Sequence, residues 1–540
     1  MKRFALTDSI VRRSEFAAAF LLTIVLIAAH LVFFFHAGPL WRDEISSLAL
    51  ATKPTFSEFL HSLKFDPFPV GYFFVLRAYN GIAGDSDVAL RGLGLFVGLT
   101  LIGSVWISSY VVDRSSPVWP LALFAFNPLI LEVGDSLRPY GFGLIWTVLA
   151  FGFIARIVFG VLNKTTAVGA FSAAILSVQS NFANALVLLS IICGAAVVLL
   201  RNRAWLKISV VLATGVAAAL SLLPYLPVMI ATGDWSKVLA SENNPIAVIA
   251  VARDAIADPG IFAEWVWLAL IFVLICALVV AFVHRSHPGF DRIIFAAVVV
   301  FVAVVGTIGF LCWAKYLVFP RYFLALLGVG ALCLNIFWSA IPRRTTIRIL
   351  GLCLTVIVAV TSLRPQFERA RMRMTNCDQV AATLEQHASP DDLIIVTSPF
   401  YGISFQRYYH GRTSWITLPR IDDLTLHRWD LIKQALTERD PVPDLVSRAE
   451  DVLKAGHKIF LVGRLGPPPT TEPEEFPPAP QSQFGWNMEA YTSQWKAELT
   501  YWIEHHALHG TNLPVDARTS VNPLEQLGLF EISGLREDNR

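Results

Sequence analysis

Eleven stretches of this chain are apolar for about 17 to 27 residues each, and no water-soluble fold can bury that many. They lie at 15–36, 91–112, 117–133, 139–161, 165–182, 184–201, 205–231, 261–284, 292–314, 317–340 and 346–364. Crossing a hydrocarbon core takes ~20 residues of helix, because away from water a lone segment must satisfy its own backbone hydrogen bonds. The expected fold is therefore a polytopic α-helical membrane protein with about eleven crossings. Composition agrees, with 55% hydrophobic and only 16% charged residues, against the ~25% charged of a soluble domain. A net charge of +2, with Lys and Arg in short clusters between apolar runs, is too small to point to nucleic acid, and no nucleic-acid partner is expected.

Those clusters report topology. The first apolar run follows Lys2, Arg3, Arg12 and Arg13, is too long for a signal-peptide core and lacks a small-residue cleavage site. It reads as an uncleaved helix with a cytoplasmic N-terminus. The basic connections Arg201-Asn202-Arg203, His284 to Arg292 and Arg343 to Arg348 are expected inside, which leaves 135–140, 232–260 and 315–321 outside. Segment 67–84 is apolar but carries Arg77, and is read as a juxtamembrane or re-entrant outer piece. Counting it as a crossing raises the total to twelve, within an expected range of eleven to thirteen. Region 165–201 is either two crossings or one long bent helix.

After residue 364 the pattern changes. Short apolar runs at 393–396 and 459–462 alternate with helix-like segments near 376–388, 424–438 and 443–456, the signature of an α/β domain over 365–540. Eleven crossings place this domain outside the cytoplasm. Gly466 to Pro480 is too Pro-rich for helix or central strand. His505, His506 and His509 read as the solvated face of an amphipathic tail helix. The cysteines show no metal-ligand spacing, and no disulfide framework or structural zinc is expected.

Three outward clusters carry groups capable of chemistry: Arg42-Asp43-Glu44 with Asp66 in the first outer loop (37–66), Asp135 with Arg138-Pro139-Tyr140, and Lys315 with Arg321-Tyr322. Charged side chains at the edge of hydrocarbon are costly and tend to have a task. A carboxylate can take the proton of an attacking hydroxyl, an effect worth ~10²–10⁴-fold in rate. Fixed cations stabilise a departing phosphate, Arg through its planar fork and Lys as a point charge. Asp43 and Glu44 point about 100° apart on a helix and need not share a role. Taken singly, Arg138, Lys315 and Arg321 also suit interfacial anchors.

The order Trp41-x-Asp43-Glu44, Asp66-Pro67-Phe68-Pro69, Gly84-Asp85-Ser86-Asp87…Arg91, Asn127-Pro128…Arg138-Pro139-Tyr140 and Pro320-Arg321-Tyr322 resembles the GT-C superfamily of membrane glycosyltransferases. The likeness is greatest to the protein mannosyltransferase and aminoarabinose transferase group and its bacterial relatives. It covers residues 1–365 and gives a transmembrane catalytic domain over 1–364, with an extracytoplasmic α/β appendage over 365–540. It implies transfer of a sugar from a polyprenyl-phosphate donor to a hydroxyl of a glycan, lipid or protein acceptor on the outer face of a bacterial plasma membrane.

In that resemblance the catalytic acids map to Asp43 and Glu44. The family's donor-side motif maps to Arg321 and Tyr322, with Lys315 nearby, and the outward clusters add Arg42, Asp66, Arg138 and Tyr140 as candidate substrate contacts. A divalent cation such as Mg²⁺ or Mn²⁺ is open, with Asp43 and Glu44 as its ligands if present. The family's His-Pro-Pro in the first outer loop is here Asp66-Pro67-Phe68-Pro69, so a role for that His does not carry over. The alternative class, a secondary transporter or flippase of lipid-linked intermediates, calls for repeated halves and a mid-membrane acid, neither of which this sequence shows.

Overall fold

The computed structural model describes residues 2–536 apart from 233–237, 239–240, 242, 258–264, 266–288, 316, 341–344, 480–486 and 516–519. The expected crossing at 261–284, Trp265 excepted, and the basic residues His284, Arg285, Arg343 and Arg344 lie outside the described residues. The chain divides into two compact units. One comprises 1–36, 68–226 and 242–371, the other 37–67, 227–241 and 372–540. The change of unit thus falls at 371/372 rather than at 364/365, because the last apolar helix, Thr345–Ala370, runs on through Pro365. The first outer loop groups with the C-terminal domain instead of with the helices that flank it.

The first unit is a helical membrane bundle. Among the described residues, eight helices are long and apolar enough to cross a membrane, from Ile10–His36, within helix α1 (Lys2–His36), to Arg348–Ala370. The expected run at 117–133 is broken by a side chain that competes with the helical backbone. At 117–133 there are two short helices, Val118–Ala125 and Pro128–Gly134, because Asn127 Oδ1 accepts the Leu129 and Ile130 N–H groups ahead of Pro128. At 165–201 there are likewise two, Lys164–Val178 and Asn184–Arg201, separated at Asn181, whose Oδ1 accepts the Ala183 N–H.

The 67–84 segment folds as the helix Val70–Ala83. Its 14 residues reach about 21 Å at 1.5 Å per residue, short of the ~30 Å of a hydrocarbon core. Arg292 pairs with Asp113 (2.7 Å) and Arg348 with Glu15 (2.7 Å), joining these helix ends in the fold.

The second unit is built on a five-stranded sheet: β1 (Leu393–Val396), β2 (Ser414–Thr417), β3 (Lys458–Gly463), β4 (Ala507–Asn512) and β5 (Gly528–Leu535), in the order β2-β1-β3-β5-β4. The first three strands are parallel, while β5 and β4 extend the sheet antiparallel. Central strands covered on both faces read as unbroken apolar runs, and their alternate residues feed two cores. Leu393, Ile395, Ile459 and Leu461 pack with Leu436, Leu445, Leu453 and Trp495. Ile394, Val396, Phe460 and Val462 pack with Val380, Leu384 and Phe405.

The helices Cys377–His387, Trp429–Thr437 and Val442–Lys454 fall where the sequence places them. The tail differs. His505 and His506 end the helix Met488–His506, but His509 lies on β4, because the chain turns into a strand at Ala507 to pair with β5. Residues 466–479 hold no helix or strand.

Candidate functional site

In the second unit the first outer loop carries helix α2 (Arg42–Ala51) and helix α3 (Phe56–Ser62). Trp41 is extended and ends the preceding turn, so Asp43 and Glu44 fall in the first turn of α2, where the helix dipole favours negative charge. Their environments differ. Glu44 is fully buried, and its Oε2 accepts the Trp41 backbone N–H at 3.2 Å, the returning half of a capping box. Asp43 keeps an edge to solvent, with its carboxylate facing two cationic or polar partners. His427 Nε2 is 3.3 Å from Oδ1, and Arg42 Nε is 3.8 Å from the same oxygen. Asp66 is buried and is tied to α2 through Ser47, whose Oγ donates to Oδ2 at 3.4 Å.

Arg42 is held in place from several sides. Its backbone N–H donates to Glu525 Oε2 (3.2 Å), its Nη1 donates to the Leu524 carbonyl (3.1 Å), and its guanidinium lies over the rings of Trp41 and Tyr401. Glu525 is buried at the end of a short 3₁₀ turn, Pro523–Glu525. Burial pushes its carboxyl up from 4.5 to about 7, against the opposing pull of the Arg42 guanidinium.

His427 and Glu525 are the residues of this cluster that sequence reasoning did not find. The signal available for the first was the composition of 423–430, where Arg428 is bracketed by Asp423 and Asp430. In the fold Arg428 pairs with both acids and lies over Phe65, while Trp429 Nε1 donates to the Phe65 carbonyl at 3.1 Å.

The other predicted residues belong to the helical unit. Arg138 is the N-cap residue of the helix Pro139–Phe159, and its guanidinium lies 4.9 Å from the centre of the Phe68 ring. Phe68 in turn meets Tyr140 edge to face at 5.5 Å, so Arg138 and Tyr140 share one aromatic contact. Asp135 is fully buried with His30, whose Nδ1 is 2.7 Å from Oδ2. Room for the pair comes from Gly98, where a Cβ would collide with both side chains.

Lys315 ends the helix Phe290–Ala314 in the left-handed conformation (φ 51°) and is exposed. Arg321 lies in the 3₁₀ turn Pro320–Phe323, with its guanidinium 4.1 Å from the Phe319 ring centre and 5.9 Å from that of Tyr322.

The described residues include no group of three or more His, Cys, Asp or Glu side chains placed to hold a metal ion. Asp43 Oδ1 faces His427, Glu44 Oε2 takes a backbone N–H, and Asp66 Oδ2 takes Ser47 Oγ.

No family model matches the chain, and no curated protein matches it. Among solved structures it is similar to ArnT from Cupriavidus metallidurans bound to undecaprenyl phosphate, at 12% identity over 82% of this chain and 92% of that one, with a TM-score of 0.47. It is similar also to the Archaeoglobus fulgidus oligosaccharyltransferase in its apo form, at 13% identity over 82% of this chain and 69% of that one, with a TM-score of 0.45. The archaeal enzyme AglB from the same organism, in complex with an inhibitory peptide and a dolichol-phosphate, gives 13% identity, 82% and 69% coverage and a TM-score of 0.41.

Proposed function

We propose that this chain is an integral membrane glycosyltransferase of the GT-C type. It moves a sugar from a polyprenyl-phosphate carrier to an acceptor hydroxyl at the outer face of a bacterial plasma membrane, with its N-terminus in the cytoplasm and its α/β unit outside. The observation that carries the reading is Asp43. It is a nearly buried carboxylate in the first turn of the helix that follows the first apolar segment, faced by an imidazole and a guanidinium.

In the proposed step the acceptor oxygen bonds to the anomeric carbon from the side opposite the phosphate, as the bond from that carbon to the phosphate oxygen breaks. The lipid phosphate leaves with the bonding electron pair, and the hydroxyl proton passes to Asp43. One displacement of this kind inverts the anomeric centre, and no separate nucleophilic carboxylate is required. Arg321, with Lys315 and Arg138, is assigned to the carrier phosphate, whose negative charge grows as the bond breaks. Tyr322 and Tyr140 are assigned to the sugar and carrier beside these cations, and Asp66 to the acceptor side. Arg42 is assigned to screening Asp43. The undecaprenyl phosphate of ArnT and the dolichol-phosphate of AglB are lipids of the proposed carrier class.

Membranes containing the chain, incubated with a panel of radiolabelled polyprenyl-phosphate sugars, are expected to consume one of them. Asp43→Asn keeps shape and removes basicity, so turnover should fall about 10²-fold or more while donor binding holds. Glu44→Gln keeps an oxygen that can accept the Trp41 N–H and cap α2, so it should leave turnover near normal. Normal turnover in both variants at matched expression would overturn the mechanism.

A further inference from the structure

His427 has no place in the chemistry above, yet its ring is packed between two aromatic side chains. It stacks on Trp429, with centroids 5.6 Å apart and planes 23° from parallel, and Phe400 flanks it at 5.6 Å. Trp429 is itself pinned by its hydrogen bond to the Phe65 carbonyl, and Arg428 by two acids. The imidazole is therefore not free to swing. Its polar edge meets a single partner among the described residues. Nε2 faces Asp43, whereas Nδ1 is buried with no hydrogen-bond partner.

A histidine kept only for packing would have both nitrogens satisfied or be replaced by an aromatic ring with none, because a buried polar atom left unpaired costs stability. The ring is spent on one contact, and that contact is the candidate base.

We infer that His427 is a positioning residue that holds the Asp43 carboxylate through an Nε2–H donor, so that the acceptor hydroxyl's proton is received on a carboxylate of fixed orientation. This inference rests on the glycosyltransferase reading and deepens it. The arrangement reverses the roles in a Ser-His-Asp triad, where the carboxylate orients the imidazole. Here the imidazole orients the carboxylate, and an aromatic clamp orients the imidazole. Because the clamp comes from 400–429 and the carboxylate from the first outer loop, the α/β unit takes part in the reaction instead of standing beside it.

The test uses the purified full chain with its radiolabelled donor and separates donor and packing. His427→Phe keeps an aromatic ring between Phe400 and Trp429 but removes the N–H, whereas His427→Gln keeps an N–H and loses the ring. Misplacing a reacting group by about 1 Å costs on the order of 10²-fold, so His427→Phe should lower kcat by about 10-fold or more, with donor KM within about 2-fold. His427→Gln should recover much of that loss. Added to Asp43→Asn, His427→Phe should cost nothing further, because contacting residues that act through one another are not additive.

His427→Phe at wild-type rate overturns the inference, and so does a loss that multiplies with that of Asp43→Asn. If the unaltered chain turns over no polyprenyl-phosphate sugar, the glycosyltransferase reading falls and takes this inference with it. If the unaltered chain works, Asp43→Asn does not and His427→Phe does, only the inference falls.

Discussion

Replacing Glu525 with glutamine tests how the C-terminal domain grips the loop that carries Asp43. Glu525 is buried against the backbone of Arg42, and burial raises its carboxyl from 4.5 to about 7. Between those two pH values the folded protein holds a proton that the unfolded chain has released. The unfolded state therefore binds fewer protons, and stability falls as pH rises through this window. The contribution is fully present below 4.5, is lost on the way up to about 7 and is level above it. At about 1.4 kcal/mol per unit of pKa, the gap amounts to about 3 kcal/mol.

For a unit of roughly 150–250 residues this corresponds to about 6–12 °C in Tm between pH 4.5 and 7.5. Glutamine keeps an oxygen to accept the Arg42 N–H and cannot ionise, so Glu525→Gln should lack this decline. Thermal unfolding of the detergent-purified chain across that range, with the variant's curve subtracted from the wild type's, isolates the effect from every other carboxylate. Parallel curves would refute the reasoning.

Gly98→Ala should destabilise the bundle by about 1–3 kcal/mol, because the new Cβ collides with both members of the His30–Asp135 pair. On the same helix, Gly103→Ala meets nothing within 4 Å and should be neutral or slightly stabilising, so equal melting of the two variants would contradict the packing argument. Arg321→Ala should weaken donor affinity and turnover together, by about 10–100-fold in kcat/KM, since phosphate charge is present before the transition state and grows in it. Unchanged donor kinetics in a folded Arg321→Ala protein would reduce this residue to an anchor.

The parts of the fold that are legible in the sequence are those whose pattern is imposed locally. The membrane helices announce themselves by length and apolarity, and β1 and β3 by runs such as Leu393-Ile394-Ile395-Val396 that are buried on both faces. The edge strands are not legible. β4 is mostly polar, exposed along most of its length and paired on one side only, so Ala507 to Asn512 carries no alternation and reads as a continuation of the preceding helix.

The site divides in the same way. Asp43 is legible from its place after a membrane helix. Its neighbours are not, because contact between Arg42 and Glu525 joins residues 483 positions apart and nothing local encodes it. The broken run at 117–133 lies between these cases. Asn127-Pro128 is a helix-start signal in plain view, outweighed in a hydropathy reading by the apolar residues around it.

The discontinuity of the second unit bears on how the protein comes into being. Its first segment, residues 37–67, leaves the ribosome before nearly all of the membrane helices, while its partners His427 and Glu525 are made only after the last segment of the first unit. Through almost the whole of synthesis and insertion, the acidic loop has no imidazole beside Asp43 and no glutamate beneath Arg42. Chains arrested between residues 371 and 427 would carry the described bundle helices with neither the imidazole that faces Asp43 nor the glutamate that accepts the Arg42 N–H.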